Sequence, residues 1–422
     1  MNDDQDRGTK LVHDWNGTIG YRTHINEETL RDGLQAPSAR MPTPEQKAYL
    51  LSLMDRLGIE AACIGFPASS RKMAEDADYL VRHAQREGLK LQLAGAARTL
   101  IADIEPIVEL SQKHGMAMGA NLFLGSSPIR QHIEGWDLSQ ILDLTRKSVG
   151  FAAENGLAVC FATEDTTRSR PIELAAIYGT AVEAGAKRIC LCDTVGQSVP
   201  KGVNMIVRYF RQTLGDDVAI DWHGHNDRGL ALANALAAIE AGADRVHTTA
   251  LGMGERAGNT PTELLLVNLR MDNGRAFDGT DLAEYGRAVV EMCGGHLPAN
   301  YPLLGADVFR TSSGIHAAAI AKALDCGDTH LADIVYSSIS ASMVGRAQEI
   351  EIGPMSGRAN VRHWMRTAGL NKHFTAAELY EIEERILDSA KKHHECLGVE
   401  HLAQIVSDVE AKMATRPERI DA

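Results

Sequence analysis

The sequence predicts an α/β fold: a closed (β/α)8 TIM barrel followed by small, mainly helical C-terminal subdomains. Three observations carry this. The chain has 422 residues, well beyond the roughly 250 that one such barrel needs. Short apolar or β-branched runs alternate with amphipathic stretches about eight times between residues 20 and 270, and strand alternating with helix means parallel strands joined by right-handed crossovers. Polar residues collect where those runs end.

In order, the runs end near "HINEETLRDG", "AACIGFP", "LQLAGAAR", "ANLFLGSS", "AVCFATED", "ICLCDTVG", "AIDWHGHND" and "VHTTALGMGE". Between them, "TPEQKAYLLSLMDRLG", "LSQILDLTRKSVGFAAENG" and "PIELAAIYGTAVEAGA" carry apolar residues at helical spacing, and several stop at a glycine. The Gly-rich dinucleotide loop that would mark a doubly wound open sheet is missing after the first run. The expected organisation is a polar N-terminal extension over 1–20, a catalytic barrel over 21–280 and mainly helical subdomains over 281–422, with no separate regulatory domain. In the last region "TAAELYEIEERILDSAKKHHECLG" alternates charge with apolar positions at helical spacing, which reads as a solvated helix face.

Composition narrows the function classes. With 44% hydrophobic and 23% charged residues the chain is an ordinary globular one. A net charge of −13 argues against nucleic-acid or membrane-surface binding, because those partners recruit clustered Lys and Arg. Seven cysteines, of which only Cys190 and Cys192 are closely spaced, read as reduced intracellular thiols. No apolar run is long enough to span a bilayer and the first residues carry no signal-peptide core, so a cytoplasmic location is expected.

The chemistry concentrates in "WHGHNDRGLALANALAAIEAGADRVHTTALGMGERAGN", which begins at residue 222. In an extended segment His223 and His225 project to one side, which suits one metal ion. Arg31 and Asp32, Glu164 and Asp165, Asp193 and Thr194, and Asn259 also fall at run ends, and a barrel gathers such ends at one mouth. Asp32 is the carboxylate that completes the set: two neutral imidazoles and one carboxylate leave positions on a divalent ion open for an oxygen-rich substrate. Two plainer readings stand beside this one. Asp165 and Asp193 each follow a strand and read singly as helix N-caps, and the histidine pair can be satisfied by backbone groups.

The segments "TLRDGLQAP", "IGFPASS", "FATEDTTRS", "CDTVG", "HGHNDRGLA", "GMGERAGN", "SGIH" and "VGRAQEIEIGPMSGR" occur in this order between about Arg22 and Val361. Together they resemble the 2-isopropylmalate synthase and homocitrate synthase family of metal-dependent acyl-CoA condensing enzymes. The resemblance implies that Asp32, His223 and His225 bind a divalent metal (Mg²⁺, Mn²⁺, Zn²⁺ or Co²⁺), with Asn259 ligating directly or through water. It implies that Arg31 stabilises an enolate or keto oxygen, that Glu164 transfers a proton at the acetyl group, and that His316 belongs to the acid/base machinery. Thr194, with Gln35, Arg98 and Arg130, is expected to bind substrate. The implied reaction is a Claisen-type condensation of acetyl-CoA, the co-substrate, with a 2-oxo acid, giving a 2-substituted malate and free CoA. A homodimer is the implied assembly.

Three departures stand out. The resembled family carries a glutamate before the "GFP" turn, where this chain has Cys63 and Ile64. After the fourth run, "SSPIR" places Arg130 where "SPIH" is usual, which suggests an oxo acid with an anionic tail. The tyrosine usual after "GIH" is replaced by His330 or by Tyr336. Other chemistries on the same barrel lack their marks: a 3-hydroxy-3-methylglutaryl-CoA lyase resembles this chain but carries a cysteine in the loop that here reads "LGMGERAGN", and a carboxyltransferase needs a lysine that "CDTVG" does not supply.

Overall fold

The structure is a computed structural model that describes residues 23–272 and 279–414; the extension expected over 1–20 lies outside them. Eight parallel strands close into a barrel: β1 (His24–Glu27), β2 (Ala61–Cys63), β3 (Gln92–Arg98), β4 (Gly119–Gly125), β5 (Ala158–Glu164), β6 (Arg188–Asp193), β7 (Ala219–Gly224) and β8 (Arg245–Thr248). β8 pairs back onto β1, with Val246 opposite Ile25 and His247 opposite Asn26, so no edge is left open. All eight expected strands are present in the expected order.

The helices interleaved with them are α1 (Pro44–Arg56), α2 (Arg71–Glu87), α3 (Ile101–His114), α4 (Pro128–Glu134), α5 (Leu138–Glu154), α6 (Pro171–Glu183), α7 (Pro200–Leu214), α8 (Ala231–Glu240) and α9 (Thr262–Asp272). Local chemistry starts them. Thr43 Oγ1 accepts from the Gln46 amide while Gln46 returns a bond to the Thr43 amide, and Asp137 with Gln140 does the same for α5. Leu50, Leu53, Met54 and Leu57 recur at i, i+3, i+4 and i+7 and are buried, each contributing about 2 kcal/mol of apolar burial.

This compact unit takes in residues 281–296 as well as the barrel. They form most of α10 (Thr280–Cys293), whose Asp281 and Glu284 pair with Arg56 at 3.1 and 2.6 Å. Tyr285, buried on α10, donates to Thr29 Oγ1 at 3.3 Å.

The second compact unit holds 279–280 and 297–414. It contains a two-stranded parallel sheet, β9 (Arg310–Thr311) with β10 (Glu349–Ile350), and the helices α11 (Gly314–Asp325), α12 (Thr329–Ile334), α13 (Arg358–Thr367), α14 (Ala376–Lys392) and α15 (Val399–Ala414). Its core joins Ile352, Val361 and Met365 to Ile382, Ile386, Leu402 and Val409. The buried carboxylate of Glu383 is neutralised by Arg358 and Arg362 at 2.7 and 2.8 Å. No described helix is long and apolar enough to cross a membrane.

Candidate active site

The end of β1 runs into a tight turn that carries Arg31 and Asp32, and β7 carries His223 as its penultimate residue. Two residues on, His225 forms an isolated bridge with Asn259. The turn and the bridge bring four side chains together. Nε2 of His223 lies 3.2 Å from Nε2 of His225, and Asp32 Oδ2 is 3.5 and 3.8 Å from the same two nitrogens. Asn259 Nδ2 donates to Asp32 Oδ1 at 2.9 Å and to the Met253 carbonyl at 3.0 Å.

The loop that delivers Asn259 depends on glycine at two places. A Cβ on Gly258 (φ +85°) would overlap the Gly252 carbonyl, and one on Gly254 (φ +147°) would overlap the Asn259 amide and crowd Asp32. The same loop holds Leu251 and Arg256 at a positive φ of 56°, a backbone cost that persists where surrounding structure enforces it.

The electrostatics suit a bound cation. Burial pushes both imidazoles below the ordinary histidine pKa, so their ring nitrogens stay unprotonated and able to ligate. Burial works against the Asp32 carboxylate too, but the Arg31 guanidinium and the hydrogen bond from Asn259 outweigh it and hold the carboxyl below the usual range. Two further buried polar atoms, Asn259 Oδ1 and His225 Nδ1, have no hydrogen-bond partner. One carboxylate, two neutral imidazoles and an unused amide oxygen fit a divalent ion.

A cavity of about 250 Å³ opens beside this set, lined among others by Arg31, Asp32, Gln35, Glu164, Thr194, His223 and His225. Those seven expected site residues are therefore brought together, with Asn259 behind them. Arg98 and Arg130 are not part of the lining. Arg98 is held by Asp103 at 2.6 and 3.1 Å, and Arg130 pairs with Glu134 at 3.1 Å and with Glu164 at 3.4 Å. His316 lies in the second unit, on α11, stacked on Tyr336 with ring centroids 3.9 Å apart. Tyr336 is thus the ring that meets His316; His330 sits on α12.

The capping reading of two acids is corrected. Asp165 makes no cap; it is held bidentately by Arg168 at 2.7 and 2.8 Å, and its amide donates to Thr194 Oγ1. Asp193 accepts the amides of Gln197 and Ser198, both at 3.1 Å, and the Thr167 hydroxyl at 3.0 Å. The helix that follows starts only at Pro200, so Asp193 organises a loop instead of a helix end.

Several side chains in the cavity escaped the motif reading. Glu28, Asn121, Cys160, Cys190, Cys192 and His247 line it. Asp221 lies below, buried, bonded to His247 Nε2 at 3.0 Å and to Arg245 at 2.7 Å, and paired with Arg188. Spacing held a signal for Asp221, since in "DWHGH" it stands two residues before His223 on the same strand face. Glu28 and His247 had none, because nothing local distinguishes them.

Against known proteins, the profile of the family described as HMGL-like matches residues 22–289. A homocitrate synthase of Methanopyrus kandleri is 33% identical over 379 residues, covering 89% of this chain and 87% of that protein. A 2-isopropylmalate synthase of Sediminispirochaeta smaragdinae is 32% identical over 348 residues, covering 80% of this chain and 66% of that protein. Among solved structures, a hydroxymethylglutaryl-CoA lyase from Pseudomonas aeruginosa superposes with a TM-score of 0.55 at 18% identity, covering 67% of this chain and 95% of the lyase, a likeness of fold alone.

Proposed function

The chain belongs to the HMGL-like family, beside homocitrate and 2-isopropylmalate synthases, and on that premise we propose that it condenses acetyl-CoA with a 2-oxo acid to give a 2-substituted malate and free CoA. The observation that carries this reading is the meeting of Asp32, His223 and His225 with the Arg31 guanidinium at one end of the barrel cavity. Asp32, His223 and His225, with Asn259 beside them, would hold a divalent ion (Mg²⁺, Mn²⁺, Zn²⁺ or Co²⁺), which would supply chelation and polarisation of the oxo acid.

The protein groups do the rest. Glu164, at the end of β5 and part-exposed to the cavity, takes the proton from the acetyl methyl. Arg31 holds negative charge on oxygen as the carbon–carbon bond forms, a task for a fixed cation with forked donors. Thr194 and Gln35 orient the oxo acid from the cavity wall. His316, with Tyr336 stacked on it, contributes acid/base chemistry. Arg130 and Arg98, outside the lining, serve the outer ends of the substrates, Arg130 meeting an anionic tail. Hydrolysis of the thioester releases CoA. We further place the protein in the cytoplasm as a homodimer, with catalysis seated in residues 21–280.

The test is CoA release followed with a thiol reagent across 2-oxoisovalerate, oxaloacetate, 2-oxoglutarate and phosphonopyruvate with Mg²⁺ or Mn²⁺. Release that depends on one acid and vanishes in Asp32→Ala is the expected result. Silence across the panel sinks the reading, and a preference for 2-oxoisovalerate removes the anionic tail from it.

A further inference from the structure

Arg31 is useful only if its guanidinium is held still, and Glu28 is what holds it. The Glu28 side chain is 1% exposed, and its Oε2 accepts from Arg31 Nε at 2.6 Å. Its other oxygen, Oε1, accepts from Asn26 Nδ2 at 2.5 Å and from Asn121 Nδ2 at 3.4 Å, and lies 3.5 Å from His247 Nδ1. A buried carboxylate tied on both oxygens cannot swing, so its bond to Nε fixes one edge of the guanidinium plane. Asp32 Oδ2 takes Nη1 at 3.2 Å. Neither contact uses Nη2, and Arg31 lines the cavity.

The neighbouring strand offers no substitute charge. Glu27 is in register with Ala62, so Cys63 stands beside Glu28 one step further along the barrel. The Cys63 thiol is fully buried, and burial together with Glu28 pushes it up to about 12, so it stays neutral.

We propose that Glu28 is the positioning residue that orients Arg31 toward the reacting oxygen, with the orienting carboxylate supplied from the residue that follows β1 because β2 presents a thiol at Cys63. This rests on the condensing reaction proposed above.

The test compares wild type, Glu28→Gln, Glu28→Asp and the double variant Glu28→Gln/Cys63→Glu, which returns a carboxylate to the adjoining strand. Each is measured for kcat and KM in CoA release, for Mn²⁺ affinity by calorimetry, and for oxalate binding to the Mn²⁺-loaded protein. Glu28→Gln is expected to lower kcat by about 100-fold with Mn²⁺ affinity little changed, as loss of an oriented donor does. The double variant is expected to recover at least about tenfold of it, and Glu28→Asp to fall between. Wild-type kcat in Glu28→Gln, or a folded, Mn²⁺-binding double variant no better than the single one, overturns the proposal. If Glu28→Gln does not fold, Glu28→Asp with wild-type kcat overturns it. Should wild type turn over no oxo acid, the reaction has failed and oxalate decides separately: weaker binding in Glu28→Gln, restored in the double variant, supports the orienting role, and unchanged binding refutes it.

Discussion

Two groups of side chains inside the barrel, Asp32 with His223 and His225 at the mouth and Asp221 with His247 and Cys160 nearer the strand starts, each bring their donor atoms within 4.8 Å of one another. By proximity alone both are metal sites. What separates them is the surrounding charge. Asp221 is saturated by Arg245 and Arg188 in addition to His247, so a cation placed there would face two guanidiniums across a buried carboxylate. At the mouth the Arg31 guanidinium is shared between Asp32 and Glu28, Arg256 is paired with Asp227, and two neutral imidazoles and an unpaired amide oxygen remain. Donor geometry is thus necessary and local charge balance decides; one cluster is a structural ion network and the other has the donor set that suits a divalent ion.

A third buried carboxylate sharpens the contrast. Glu27 has hydrogen bonds from the Thr29 amide and hydroxyl and from the Ala250 amide, with no Lys or Arg ion pair among the described residues, and burial raises its pKa to about 7. With cations the acid is held ionised; without one it drifts toward the neutral form.

The largest expected effect falls at the mouth. His223→Ala should abolish Mn²⁺ binding in calorimetry and reduce CoA release on the order of 10³-fold, whereas Cys160→Ala should keep the wild-type stoichiometry; metal lost in the latter would collapse the distinction. Next comes Asp221→Ala, which leaves two guanidiniums uncompensated and should destabilise by roughly 3–5 kcal/mol, read as a lower denaturation midpoint of the metal-free protein. A shift below about 1 kcal/mol would show that Asp221 is not the keystone of its network.

Glu27 gives a pH signature of known sign. Its folded-state pKa, about 7, lies above the unfolded 4.5, so its contribution is complete below pH 4.5 and is lost as pH rises through 7. Glu27→Gln should therefore flatten the fall in melting temperature between pH 5 and pH 8, an effect of up to roughly 3 kcal/mol; parallel curves for mutant and wild type would refute the assignment. The smallest expected effect is that of metal removal on stability. A chelator should lower the melting temperature of Mn²⁺-saturated wild type by a few degrees, corresponding to about 2–3 kcal/mol at a hundredfold excess over Kd, and should leave His223→Ala unmoved.

The barrel was legible because each strand–helix unit carries its own periodicity, and the ends of all eight runs fall where the strands end. Asp32, His223 and His225 were legible for a related reason: two of them share a strand face and the third closes the first run. Arg98 and Arg130 lie outside the cavity lining, and local sequence carries part of the reason. Asp103 lies five residues from Arg98 and Glu134 four from Arg130, close enough to pair with each guanidinium.

Glu28 and His247 were beyond reach of that kind of reading, and for Asp221 spacing gives the strand face but not the partners. Their roles are set by partners from other strands: Arg245 meets Asp221 because β7 and β8 pair in that register, and Glu28 faces Cys63 because β1 and β2 do. The amino-acid sequence by itself determined the order of strands and helices, the charge and composition, and the cation-ligating residue types at one barrel end, because those properties reside in neighbours along the chain. Only closure of the barrel decided which carboxylate keeps its charge, which cluster is neutralised and which arginine is oriented. Those outcomes depend on burial and on distances of a few ångströms between residues tens to hundreds apart in the chain.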